Sequence, residues 1–160
     1  MSDKMKMRFA LESSLGRLAK WLRILGFDSV YVPGIPENSF FNFGMKGRIL
    51  LTRTQKIRDK NPGLDLLLIR FNDPLDQLRQ VVSDLNLRFS DINPFSRCIR
   101  CNCLLHDIPK DEVRGLVPDY VYETQCNFSR CPVCRRIYWP GTHFEKSMKF
   151  IHELFIGRIP

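Results

Sequence analysis

Along the first half of the chain, short continuous apolar runs are separated by stretches in which apolar residues recur at helical spacing. Arg8-Phe9-Ala10-Leu11-Glu12 is short, apolar and ends in a carboxylate, and Ser13 and Ser14 can cap a helix start, so a strand is expected to run directly into a helix. From Ser14 to Leu25, the residues Leu15, Leu18, Ala19, Leu22 and Leu25 share one side of a helical wheel. Arg17, Lys20 and Arg23 gather on the other, with Trp21 at the border. Gly26 supplies a left-handed stop, and Ser29-Val30-Tyr31-Val32 reads as a second strand. After the turn Pro33-Gly34-Ile35-Pro36, residues Glu37 to Lys46 read as a short helix, weakened by Gly44 and crowded with Phe40, Phe41 and Phe43. Arg48-Ile49-Leu50-Leu51-Thr52 is a continuous apolar strand of the kind buried on both faces in a parallel sheet. Arg53 to Gly63 reads as a polar loop, where such a sheet places its ligand. Leu66-Leu67-Leu68-Ile69 is another buried strand, and Leu75 to Leu85 another amphipathic helix opened by Asn72-Asp73-Pro74. The alternation predicts an α/β fold, a doubly wound parallel sheet with right-handed crossovers.

The pattern breaks at Ser90 to Pro94, a run of turn formers. The boundary is placed there, giving an α/β domain over 8–92, a cysteine-bearing ribbon over 95–144 and a terminal helix over 145–157 that packs back. Cys98 and Cys101 have two residues between them, as have Cys131 and Cys134. At that spacing one tight turn aims both sulfurs at a single ion, and two such pairs make the closed thiolate tetrahedron of structural zinc. Soft sulfur ligands with no water position suit zinc or an iron–sulfur centre better than magnesium, and zinc is the better choice. Arg97, Arg100, Arg130, Arg135 and Arg136 stand beside the cysteines and favour the thiolates. Cys103 and Cys126 lie outside the paired spacing, as core residues or as a replacement for one ligand. Disulfides would require an oxidising compartment and usually a signal peptide, and none is visible. Between the pairs, Val117 to Tyr122 alternates in part, consistent with ribbon strands.

Charge and length narrow the function. The formal net charge of +8 makes polyanions, above all RNA or DNA, the natural partner class, because each neutralised phosphate releases counterions. A chain of 160 residues holds one ordinary core plus a small satellite. No apolar run is long enough to cross a bilayer, and Met1 to Met7 is polar and basic rather than a signal sequence. The expectation is therefore an intracellular protein, cytoplasmic or nuclear, with no membrane and no small-molecule substrate.

In an α/β sheet the ligand crevice lies beyond the carboxyl ends of the strands. Glu12 ends the first strand, Glu37 opens the second helix, Thr54 follows the third strand and Asp73 follows the fourth. Acids from several strand ends can converge on magnesium or manganese and activate water against a phosphodiester. The alternative is that Glu12 and Glu37 are solvated helix-start acids and Asp73 a cap. Arg17, Lys20, Arg23, Arg48, Arg53 and Lys56, with Arg58 and Lys60, form a candidate track for a phosphate backbone. Trp21, Phe40 or Phe41 would offer stacking surfaces to unpaired bases, unless the helix is simply amphipathic and the Phe residues are core or a protein-binding patch. His143 reads as a structural hydrogen-bonding group, and His106 and His152 have no companions that suggest a site.

Ser14-Leu15-Gly16-Arg17-Leu18-Ala19-Lys20-Trp21-Leu22-Arg23-Ile24-Leu25-Gly26, Gly47-Arg48-Ile49-Leu50-Leu51-Thr52-Arg53, the paired cysteines and Trp139-Pro140-Gly141-Thr142-His143 resemble the PIN-like RNase module with an appended zinc ribbon. This module forms the C-terminal part of mutator-type 3′-to-5′ exonucleases of small-RNA silencing, the Mut-seven C-terminal RNase family. The similarity runs from Phe9 to about Met148. The resemblance implies a PIN-like fold, RNA as the partner and a metal-dependent nuclease ancestry. The family's pattern has aspartate where this chain has Glu12, near Glu37, and directly after Leu-Thr-Arg, where this chain has Thr54; Asp73 matches. Those departures predict a degenerate nuclease, the basic residues a domain that binds RNA, and the resemblance implies a protein-interaction module within a silencing complex. The alternative is a surviving metal-dependent endoribonuclease using Glu12, Glu37 and Asp73 with Mg2+ or Mn2+. For protein contact, Phe40, Phe41, Phe43 and Met45, and Phe150 to Ile156, offer more apolar surface than a small core obviously needs.

Overall fold

A computed structural model describes residues 7–157, so the basic start at 1–6 lies outside the described residues. The chain divides into two compact units between Asn102 and Cys103.

The first unit is built on a parallel sheet. Its strands are β1 (Arg8–Leu11), β2 (Asp28–Tyr31), β3 (Ile49–Thr52) and β4 (Leu66–Leu68), in the order β2-β1-β3-β4. All three neighbouring pairs are parallel. The helices are α1 (Gly16–Ile24), α2 (Glu37–Met45), α3 (Gln55–Lys60) and α4 (Pro74–Asp84). α1 packs with β2 and α4, whereas α2 packs on β1 and β3 and α3 on β4. Strand β1 is buried on both faces for this reason: Phe9, Ala10 and Leu11 are each 1% exposed or less. Ala10 joins Phe40 and Leu50 in the cluster under α2. Side chains alternate along a strand, so Phe9 and Leu11 look the other way, and Phe9 meets Phe27 edge to face at 5.5 Å. The strand order reverses between β1 and β3, which sets a crevice beyond the ends of those two strands.

Several local readings need correction. The stretch from Arg53 to Gly63 is not all loop, since α3 occupies Gln55–Lys60, aided by the bond from Gln55 Nε2 to Asp59 Oδ1 at 3.0 Å, one helical turn apart. The helix expected from Ser14 begins as a 3-10 turn over Ser13–Leu15 before α1. Neither serine caps it, because Ser14 Oγ donates to Glu12 instead. By contrast, Asp73 does cap α4, accepting from Leu75 N at 2.9 Å and Asp76 N at 3.3 Å, with Pro74 in the first turn.

The second unit holds an antiparallel sheet of β5 (His106–Ile108), β6 (Phe128–Arg130) and β7 (Ile137–Tyr138) in sequential order. Its small core is Val113, Val117, Val121 and Phe128, with Ile108, Tyr122, Ile137 and Trp139 packed against it. The segment read as a ribbon strand around Val117 to Tyr122 is instead helical, as α5 (Asp119–Thr124). Val117 and Val121 are both buried while Tyr120 is 69% exposed, so the burial follows one helical turn rather than alternation. The last element, α6 (Thr142–Ile156), buries Ile151 and Leu154 and leaves Ile156 exposed. No helix among the described residues is long and apolar enough to cross a membrane.

Candidate functional site

Glu12 stands immediately beyond β1, beside the end of β3, and both its carboxylate oxygens accept from nearby donors. Oε1 accepts from Arg53 N at 2.6 Å and from Ser14 Oγ at 3.0 Å. Oε2 accepts from Thr52 Oγ1 at 2.6 Å and, more weakly, from Thr54 Oγ1 at 3.4 Å. A carboxylate offers about four lone-pair sites, and three donors lie within 3.0 Å of this one. Thr52 is fully buried, accepts from Thr54 N at 3.0 Å and passes its own proton toward Glu12. The result is a polar clasp that joins the ends of the central strands. Thr54, where the resembled pattern has an acid, is here a donor to the neighbouring carboxylate.

A crevice of about 360 Å³ opens beside this clasp, lined by Glu12, Ser13, Ser14, Glu37, Phe40 and Thr54 among others. Glu12 and Glu37 therefore share one crevice. Asp73 does not join them. It lines a different cleft, with Arg17, Lys20 and Trp21, and one of its oxygens, Oδ1, carries both cap bonds of α4.

The basic candidates divide in the same way. Arg17, Lys20, Arg53 and Lys56 are exposed, and Arg53 donates to Asn72. Arg23 is corrected: it is only 7% exposed, although three residues from Lys20 on the same helix. Its Nε donates to Ser29 O at 3.0 Å, and its Nη1 to Ile99 O at 2.8 Å and Arg100 O at 3.2 Å. Burial lowers its pKa from the ordinary value, opposed by the nearby Cys98, Cys101 and Asp28. Arg48 is likewise committed within the fold. It pairs with Asp28 at 2.8 Å and 3.1 Å and also donates to Phe9 O, at the end of β3 away from the crevice. Asp28 is partly buried, which would raise its pKa, but the bonds from Arg48 and Asn102 outweigh that and hold it below the ordinary carboxylate value. Phe40 is no stacking platform, being 3% exposed in the core, and Phe41 packs against the same cluster.

The first cysteine knuckle is tied to the α/β unit by groups that sequence reasoning had assigned elsewhere or missed. Arg23 holds the carbonyls of Ile99 and Arg100, Arg97 Nε donates to Gly26 O at 2.9 Å, and Asn102 accepts from Ser29 N and donates to Asp28. Asn102 has φ +67°, a left-handed conformation that asparagine tolerates, so the chain can turn directly after Cys101. Hence Cys98 is fully buried and Cys101 half-buried.

The sulfurs of Cys98, Cys101, Cys131 and Cys134 all lie within 4.8 Å of one another, and this is the one group of three or more potential metal-ligating acids, histidines or cysteines among the described residues. Zinc–sulfur bonds of about 2.3 Å require tetrahedral edges of about 3.8 Å, so a small contraction closes the set around one ion. The backbone is arranged for thiolate. Cys101 N points at Cys98 Sγ at 3.3 Å, and Val133 N and Cys134 N point at Cys131 Sγ at 3.4 Å. Burial of Cys131 opposes ionisation, yet the bonds from Cys134 N, the Cys103 thiol and Val133 N outweigh it and bring its pKa down to about 6. The donor set fits zinc. Cys103 is not one of the four, but its sulfur lies 3.2 Å from that of Cys131. Cys126 is exposed.

The family model of the Mut7-C RNAse domain aligns with residues 7–151, which span the α/β unit and both cysteine pairs. The chain belongs to that family. The curated proteins and the solved structures give no match. As a Mut7-C domain the chain is nuclease-like and RNA-related, with a four-cysteine centre suited to zinc.

Proposed function

We propose that this Mut7-C domain is a degenerate nuclease that binds single-stranded RNA without cutting it, with zinc as a structural ion. The observation that carries this reading is the engagement of Glu12. Each of its oxygens accepts a short bond from a protein donor, so a metal there competes with the hydrogen bonds from Thr52 and Arg53 at the end of β3. A charged acceptor with short donors resists that exchange. The separation of Asp73 from Glu12 and Glu37 supports the same conclusion. What remains chemically useful is the exposed set Arg17, Lys20, Arg53 and Lys56, whose charge suits a phosphate backbone. Service as an interaction module of a silencing exonuclease follows from the family resemblance. Of the apolar residues expected to meet a partner, Met45 and Ile156 are exposed, Phe41 and Phe43 are partly buried and Phe40 is core.

A second reading rests on Glu12 and Glu37 sharing a crevice, which is where a Mg2+- or Mn2+-dependent endoribonuclease would need its acids. A native gel with labelled single-stranded RNA tests the binding reading. A mobility shift whose affinity falls steeply with salt, and falls less steeply in Lys56→Ala, is expected. The logarithmic slope should drop by about 0.7 for one lost phosphate contact. A salt-independent shift, or none, would overturn it.

A further inference from the structure

We propose that a second cleft in the first unit binds one unpaired nucleotide of that RNA, its base stacked on Trp21 and its phosphate on Arg17 and Lys20. This deepens the RNA-binding reading and rests on it. The cleft has a volume of about 480 Å³, within the range that small-molecule sites occupy. Its apolar lining is Trp21, Ile24, Pro74, Leu75 and Ile99, and its charged groups are Arg17, Lys20 and Asp73.

The geometry of α1 explains the grouping. Arg17, Lys20 and Trp21 follow the helical spacing of three and four residues, which puts them on one face. Leu18, Leu22 and Leu25 take the buried face, and Arg23 turns inward to the knuckle. The basic stripe of the helix is thus split, with its first two members at the cleft and its third holding the wall. That wall is Ile99, whose carbonyl Arg23 fixes at 2.8 Å, so the residue that failed as a phosphate ligand positions one side of the proposed site. Asp73, also in the lining, spends Oδ1 on the α4 cap, and two cations against a single carboxylate favour an anionic ligand.

An indole beside aliphatic side chains, with cations next to it, is the chemistry that accepts a base and its phosphate together. Stacking of this kind needs an unstacked base, so the site selects single strands over duplex. An acidic peptide would satisfy the cations but gain little from the indole, and it serves as the competing ligand in the test.

Short oligoadenylate is titrated into the whole chain while tryptophan fluorescence and a native gel are read in parallel. Quenching is expected in the natural sequence and should vanish in Trp21→Phe, which keeps a ring for stacking but leaves Trp139 as the remaining indole. Trp21→Ala should weaken binding roughly five-fold or more. Lys20→Glu, at an exposed position that cannot disturb the core, should weaken it as well. Duplex RNA should leave the fluorescence unchanged. RNA binding with no quenching, and with Trp21→Ala and Lys20→Glu at natural affinity, would overturn the cleft while leaving the RNA-binding reading intact. Absence of any RNA shift would remove both. Quenching by polyglutamate with none by oligoadenylate would assign the cleft to an acidic peptide and overturn the ligand class.

Discussion

Arg23→Met separates a structural arginine from a phosphate-binding one. The substitution keeps an unbranched apolar stem of similar length and deletes the guanidinium. Three bonds to backbone carbonyls are lost, at 3.0, 2.8 and 3.2 Å, in a side chain that is 7% exposed, so water cannot replace them freely. Hydrogen bonds from a charged donor contribute about 1.5–3 kcal/mol each. The two shortest set the scale, because the third shares Nη1 with the shortest, and the total is about 3–6 kcal/mol. That is a large part of the 5–15 kcal/mol that typically holds a domain together. Urea unfolding followed by far-UV circular dichroism measures it, with Arg17→Met as the exposed control expected within about 0.5 kcal/mol of the natural sequence. In the same pair of variants, RNA affinity at a temperature where both are folded should fall for Arg17→Met. Equal stabilities, with RNA affinity lost only in Arg23→Met, would refute the assignment and return Arg23 to the RNA-binding face.

Other outcomes follow from the same contacts. Cys98→Ser and Cys131→Ser should each lose zinc as read by elemental analysis of the purified chain, whereas Cys103→Ser should keep one ion per chain, because its sulfur lies beside the set and not within it. Asp28 has a folded pKa below its unfolded one, so its contribution to stability is present above the unfolded value near 3.8 and is lost as the pH falls through the folded value. Asp28→Asn should therefore lower stability at neutral pH and narrow its gap to the natural sequence under acid, as measured by urea titrations at each pH. Gly26→Ala should destabilise by roughly 2 kcal/mol or more, since its φ is +95° and an added Cβ would meet Asn93 O at 2.4 Å. A melting temperature unchanged by that substitution would contradict the tight passage between α1 and β2.

The parallel sheet was legible because its strands are continuous apolar runs and its helices carry one apolar stripe each. Asn72-Asp73-Pro74 marked the start of α4 by a cap that operates as the local chemistry demands. Paired cysteines were equally plain, since the spacing itself encodes the turn. The failures share a physical cause. Arg23 obeys the helical wheel, but the wheel cannot know that a knuckle from far along the chain brings its carbonyls to that face. Thr52 ends an apolar strand without any charge to draw attention, yet its hydroxyl is half of the Glu12 clasp. α5 and α3 are a single turn or two, too short for a period to show, and Val117 with Val121 fits one helical turn as well as it fits interrupted alternation. The Phe residues of α2 marked the right element, with Phe40 in the core and Phe41 and Phe43 partly buried against it. In a weak helix rich in aromatics, the helical wheel cannot tell which ring the sheet takes up, and here it is Phe40.

The family resemblance located the acids, and the hydrogen bonds around Glu12 support the proposal of a degenerate site. In this chain the first acid is one methylene longer than aspartate, and Thr54 turns what would be a second acid into a donor for the first. The two departures fit each other: an aspartate at position 54 would place like charge against Glu12, while a threonine hydroxyl stabilises it. On the proposed reading, Glu12 and Thr52 serve there as a tie between strand ends.

The most direct measurement is incubation of the purified chain with end-labelled single-stranded RNA and manganese, read on a denaturing gel beside a native gel of the same samples. The account predicts a shifted band on the native gel and intact RNA on the denaturing one, for the natural sequence and for Glu12→Gln alike. Manganese-dependent cleavage by the natural sequence that disappears in Glu12→Gln, with folding and zinc content unchanged, would contradict it and show that Glu12 and Glu37 still serve an active ribonuclease.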